Sequence, residues 1–366
     1  MNEGDAVDTS DHALGCKWYR SSSIEHTFAG YIEDEFIKYF GTGTRRGPLL
    51  NMRTFDSFEM QIVLPVHFIR MKAVRMVVSS FMDQFPDEPV QFVNFGCGFD
   101  TIAFWIIKQY KNVTCFELDL PEQLEKKTSF IKRAEPIMSL LSDYEEDFNN
   151  MDGVNSLISS YKLSREQPTL FLSECALVYL DVEKSNDVIQ FASTMSNAPS
   201  CFVYWEQART DDKFGKLLLQ RFKDLGSELF VSTSYPTIES QMRRYKDLGW
   251  KAVSIMDMNT FYNSLISDDE KKRIKVCDYR LHAMFINFQK LECLDEVEEM
   301  VMVCSHFVIG VCATQPERCK ILFDIVTERP TKRTVRSYTT EEVREMIRKG
   351  TVWQMEPASL NTGWLE

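Results

Sequence analysis

The stretch VQFVNFGCGFD, residues 90–100, decides how the chain folds. Val90 to Phe95 read as a buried strand, Gly96 and Gly98 turn the chain, and DTIAFWIIKQY (100–110) has the length and apolar spacing of a helix. A G-x-G turn between strand and helix lets backbone approach a ligand closely, with the helix N-terminus pointing at it. Two carboxylates follow at Glu117 and Asp119, 21 and 23 residues after Gly96, the spacing at which an acidic side chain meets ribose hydroxyls. Position 101 is Thr, so the full G-x-G-x-x-G is absent, which favours a nucleoside ligand over a dinucleotide pyrophosphate. A plain tight turn is the competing reading.

Outward from this unit the pattern repeats. Strands are predicted at 90–95, 113–118 (VTCFEL), 168–173 (PTLFLS) and 200–205 (SCFVYW), with helices over DTIAFWIIKQY, PEQLEKKTSFIKRA and DVEKSNDVIQFASTM between them. Alternation of this kind implies an α/β fold with a doubly wound, mostly parallel sheet. A further strand is expected near 250–257, and MVMVCSHFVIGVCAT reads as a closing strand that leaves an antiparallel pair at the end of the sheet. Residues 1–15 read as a disordered tail, 16–89 as a helical N-terminal lid with a loop at FGTGTRRGPLLNMR, 90–315 as the catalytic domain and 316–366 as a polar C-terminal tail.

Composition removes several classes. The 366 residues are 44% hydrophobic and 26% charged, with no run near the roughly 18 apolar residues of a membrane span. The acidic start MNEGDAVDTS is unlike a secretory signal, and ten scattered cysteines without a C-x-x-C pair suit a reducing, cytoplasmic compartment. Five dispersed histidines give no metal-ligand spacing, so no metal is expected. A net charge of −12 argues against a chain-wide grip on nucleic acid, leaving Arg45-Arg46 and the segment 316–350 as local basic patches. A monomer is expected.

A second signal is SECALVYL (173–180), where Glu174 interrupts an apolar run at the carboxyl end of a strand, the place where open α/β sheets bind ligands. A buried carboxylate there needs a partner, such as a ligand amino group or hydroxyl, a backbone amide or a neighbouring lysine. Asp147 and Phe148, in DYEEDF, are candidates to end an intervening strand near a bound base.

NFGCGFD, FELDLP and SECALVYL together resemble the glycine, acidic and E-C-x-L-V-Y motifs of the leucine carboxyl methyltransferases. YWEQARTDDKFG, SQMRRYKDLGW and SIMDMNTFY extend the similarity over roughly residues 16–314. The resemblance implies a Rossmann-like class I methyltransferase with S-adenosylmethionine as cofactor. It assigns Lys17 and Arg53 to ligand contacts from the N-terminal extension, Gly96 and Asp119 to the cofactor, and Glu174 to the cofactor's amino-acid end, with Gly98 of the G-x-G turn beside them. Glu117, Asp147 and Phe148 complete the expected cofactor set. Arg53 is the expected counter-charge for an acceptor carboxylate, with Tyr179 or Tyr204 as a hydroxyl donor. GTGTRRGPLL, GFDT and DMNTFY lean toward the wybutosine-synthesizing branch, implying a modified guanosine in tRNA as acceptor; the alternative acceptor is the C-terminal tail of a phosphatase. A non-catalytic interaction protein and a nucleotide-dependent oxidoreductase on the same sheet are the rival classes.

Overall fold

The computed structural model describes residues 34–40, 57–141, 163–224, 226–273 and 297–319. Its centre is a sheet of six strands among the described residues: β1 (Val90–Phe95), β2 (Val113–Leu118), β3 (Thr169–Glu174), β4 (Ser200–Gln207), β5 (Ala252–Asp257) and β6 (Phe307–Ala313), in the order β2-β1-β3-β4-β6-β5. The first four strands pair in parallel, whereas β6 runs antiparallel to both β4 and β5. The expected antiparallel ending is present, with the last of the described strands inserted one place from the edge.

Crossovers between the parallel strands are α2 (Ile102–Gln109), α3 (Pro121–Arg133) and α4 (Val182–Thr194); α5 (Lys213–Asp224) and α6 (Ile238–Asp247) follow β4. Pro121 opens α3, where its missing N–H costs nothing. Thr237 and Ser240 cap α6 reciprocally, each side chain accepting from the other's backbone N–H.

β1, β3, β4 and β6 bury both faces, which is why they read as nearly continuous apolar runs, whereas the outer strands β2 and β5 are only partly buried. One core contains Val90, Phe92, Leu170, Leu172, Val203 and Trp205 on the face covered by α1 (Ser57–Met82), α2 and α3. The other contains Val93, Phe95, Phe171, Phe202 and Tyr204 together with Ile189 of α4 and Tyr245 of α6. Within the segment 16–89, expected to be a lid, α1 is a layer of the first core: Phe68, Ile69, Ala73, Val74, Val78 and Phe81 are buried at helical spacing.

One expectation needs correction. The run MVMVCSHFVIGVCAT is not one strand: its first part completes α7 (Val297–Ser305), and only Phe307–Ala313 is β6. Unbroken apolar sequence hides its period, and the helical part is told apart only by one-sided burial, with Cys304 inside and Val301 and Met302 facing outward. The His306 N–H closes the helix on the Val303 carbonyl at 3.0 Å.

Candidate active site

The glycine turn leaves β1 at the carboxyl ends of the parallel strands. Gly96 and Gly98 have φ of 71° and 45°, a region L-residues seldom occupy. A Cβ on Gly96 would overlap the Cβ of Ala176, so the turn lies flat against the segment leaving β3. The Gly96 and Cys97 amides both donate to the Leu118 carbonyl, at 2.8 and 3.0 Å, tying the turn to the end of β2.

The end of β2 separates the two predicted ribose carboxylates, Glu117 lying within the strand and Asp119 one residue beyond it. Asp119 stands at the turn: Oδ2 accepts from the Gly98 N–H at 2.6 Å and Oδ1 from the Leu120 N–H at 2.8 Å. Burial raises its pKa while these amides oppose the rise. Glu117 is instead paired with Lys127 of α3 at 2.8 Å, both side chains being almost fully enclosed. Lys127 also donates to the Asp100 carbonyl at 2.7 Å. Burial alone would lower the pKa of Lys127, but Cys97, Glu117 and Asp100 raise it above the ordinary value, holding it charged. The structure thus brings Asp119 to the turn and commits Glu117 to the lysine behind it.

Glu174, the last residue of β3, meets Arg70 of α1, whose Nε donates to Oε1. The guanidinium lies 4.3 Å from the centre of the Trp205 ring, which in turn stacks on Phe307 at 4.5 Å. Arg70 is a site residue that the reading of the sequence missed. Its signal was present: it is a charged residue on the apolar stripe of Val66, Ala73, Val74 and Val77. Cys175 then takes φ 56°, reversing the chain so that Ala176 reaches Gly96.

Tyr179 lies near this edge, its hydroxyl 3.8 Å from Cys175 Sγ, which also receives Gln207 Nε2 at 3.4 Å. Burial pushes the Tyr179 phenol well up, so it stays a donor at neutral pH. Tyr204 is elsewhere: it stacks on Tyr245 at 4.4 Å in the core of the opposite face, fully buried. The structure does not bring its hydroxyl to Glu174. Lys17, Arg53, Asp147 and Phe148 lie outside the described residues.

An α-amino acid group carries one cation and one anion, and Glu174 beside Arg70 offers the complement of both. With the glycine turn and Asp119 on the neighbouring strands, the edge fits a nucleoside joined to an amino-acid end. Among the described residues no group of three or more His, Cys, Asp or Glu is arranged to hold a metal, and no helix is long and apolar enough to cross a membrane.

The sequence profile of the leucine carboxyl methyltransferase family matches residues 13–193. The human tRNA wybutosine-synthesizing protein 4 is 28% identical over 307 residues, covering 76% of this chain and 40% of that protein. Leucine carboxyl methyltransferase 1 of Caenorhabditis elegans is 26% identical over 325 residues, 82% of this chain and 89% of the relative. Its Schizosaccharomyces pombe counterpart is 27% identical, with 85% and 95% covered. The chain therefore spans about two fifths of the human wybutosine relative but nearly the whole of the shorter methyltransferases. In its motifs, and over residues 13–193, the chain is similar to the leucine carboxyl methyltransferase family, whose cofactor is S-adenosylmethionine.

Proposed function

We propose that the chain methylates a carboxylate on a macromolecule, forming an ester, with a wybutosine-type guanosine in tRNA as the acceptor. The observation that carries the methyltransferase reading is the Arg70–Glu174 pair, whose glutamate ends the strand next to the one that leads into the glycine turn. Bound S-adenosylmethionine would supply a methyl group activated by its sulfonium. Gly96 and Gly98 would admit its nucleoside, Asp119 would accept from the ribose, and Glu174 and Arg70 would hold its amino-acid end.

The acceptor is already ionised at neutral pH, so its oxygen forms the new bond to the methyl carbon as the carbon–sulfur bond breaks, and no proton moves. No catalytic base is needed. The protein's part is orientation and exclusion of water. Tyr179, kept protonated, is our candidate hydroxyl donor to the acceptor, and Arg53 our candidate for its counter-charge. Arg53 should position more than accelerate, because a clamp on the ground state lowers no barrier.

The alternative acceptor, the C-terminal leucine carboxylate of a phosphatase, is favoured by length, since the chain covers 89% of the nematode methyltransferase. We further propose a monomer acting in the cytoplasm. The deciding experiment is transfer of labelled methyl, released by mild base, to precursor tRNA and to the unmethylated phosphatase tail, alongside calorimetric titration with S-adenosylhomocysteine. Label on tRNA supports the first reading and label on the tail the second. Absence of cofactor binding would remove both.

A further inference from the structure

Residues 34–40 press on the back of the glycine turn. The Asp34 carboxylate, nearly fully buried, accepts at Oδ1 from the Phe36 and Ile37 amides at 3.0 and 3.1 Å, which starts the short 3-10 turn Ile37–Phe40. At Oδ2 it accepts from Thr101 Oγ1, with Arg75 Nη2 of α1 at 3.7 Å. Thr101 is the residue between the turn and α2, and its carbonyl receives the Phe104 and Trp105 amides at 3.1 and 3.2 Å. A second, apolar contact runs in parallel. Phe40 lies 6.4 Å from Phe99 inside the turn and 6.0 Å from Phe104, and Phe130 of α3 approaches both Phe40 and Phe99, at 5.9 and 5.6 Å.

These contacts are made by groups that do not face the ligand edge, yet they fix both ends of the segment 99–101. The same segment is also fixed by Lys127 on the Asp100 carbonyl. A turn held at several points has little freedom to adjust, so its shape depends on each holder. Arg75 carries the tie further, since its guanidinium lies 5.1 Å from the Trp105 ring of α2.

We infer that Asp34 is a positioning residue for the cofactor: through Thr101 it couples the structure of residues 34–40 to the occupancy of the glycine turn. The inference rests on the proposed cofactor site. Coupling free energy is reciprocal, so a cofactor that is bound more tightly because residues 34–40 are in place must itself steady those residues. A contact that only supports the fold has no such consequence.

The test is amide hydrogen exchange over 34–40 in the full chain with and without S-adenosylhomocysteine, combined with calorimetric affinity. In the wild type the ligand should slow exchange at Phe36 and Ile37, whose amides end on Asp34. Thr101→Val keeps the shape but removes the hydroxyl, and should weaken binding by about threefold to tenfold and abolish the slowing, while Thr101→Ser stays within about twofold of wild type. Lys108→Met breaks the exposed Glu35–Lys108 pair, which ties the same segment to the far end of α2. It should leave affinity unchanged. If the wild type binds the ligand while exchange at 34–40 is unaltered, or if Thr101→Val binds as tightly as wild type, the coupling is refuted with the cofactor site intact. A wild type that binds no ligand overturns the proposed function and the coupling with it.

Discussion

Gly96 and Ala176 stand so close that the glycine has no room for a methyl group, because its Cβ would overlap the alanine's own. Gly96→Ala meets that overlap and a φ of 71° together. The left-handed conformation costs roughly 1–2 kcal/mol and the overpacking roughly 1–3 kcal/mol. Melting temperature and S-adenosylhomocysteine affinity should both fall. Adding Ala176→Gly should recover only the part due to overlap, and full recovery would show that the positive φ carries no strain.

Arg70→Ala strands Glu174 in an enclosed setting. Loss of one partner of a buried pair typically costs about 3–5 kcal/mol, most of it from the unpaired charge. Urea unfolding should show a loss on that order, and Arg70→Ala/Glu174→Gln should be more stable than Arg70→Ala alone. Arg70→Lys keeps the charge but not the flat stacking on Trp205, so it should bind the cofactor more weakly than wild type. Wild-type affinity in Arg70→Lys would place the cofactor's amino-acid end elsewhere.

Lys127 should act on the turn without touching ligand. Lys127→Met leaves Glu117 and the Asp100 carbonyl without their donor and should reduce both stability and cofactor affinity. Combining it with Glu117→Gln should restore part of the stability, as measured by a double-mutant cycle. Affinity should remain low in the double variant, because the Asp100 carbonyl is still unheld.

Glu206 supplies a pH signature. It is buried on the second face, its Oε1 has no hydrogen-bond partner, and burial lifts its pKa from 4.5 to about 7 against the pull of Arg244. Between those values the folded chain holds a proton that the unfolded chain releases. Its contribution to stability therefore falls as pH rises through that window, by roughly 3 kcal/mol in all, and stays low above it. Glu206→Gln should gain stability relative to wild type on going from pH 4.5 to pH 8. A wild-type-minus-variant difference that is flat over that range would contradict this assignment.

The parallel strands and glycine turn were legible because each imposes a local pattern: continuous apolar runs for strands buried on both faces, and paired glycines where φ is positive. Asp119 was legible from spacing, but its separation from Glu117 was not, since that depends on Lys127 arriving from α3. Arg70 escaped notice for a similar reason. Helical periodicity placed it on the core stripe, yet only the fold shows that the stripe ends against Glu174. Tyr204 illustrates the opposite case: it was a candidate hydroxyl donor at the site, while strand alternation sends its ring into the other core. The helix 297–305 was hidden because its apolar part, residues 300–304, is too short to show a helical period before β6 begins.

The late insertion of β6 between β4 and β5 has a consequence for how the chain is made. The only strand that β5 pairs with among the described residues is β6, and the β4 edge facing β5 is also satisfied by β6. During synthesis from the N-terminus, β1 to β4 can assemble as soon as they emerge, but β5 waits about fifty residues for its neighbour. Over that interval two strand edges, including that of the strand carrying Trp205, are open to intermolecular pairing. Chains arrested before Phe307 should therefore be the most aggregation-prone species along the route, and a nascent chain should lose its chaperone dependence within a few residues of Ala313 clearing the ribosome.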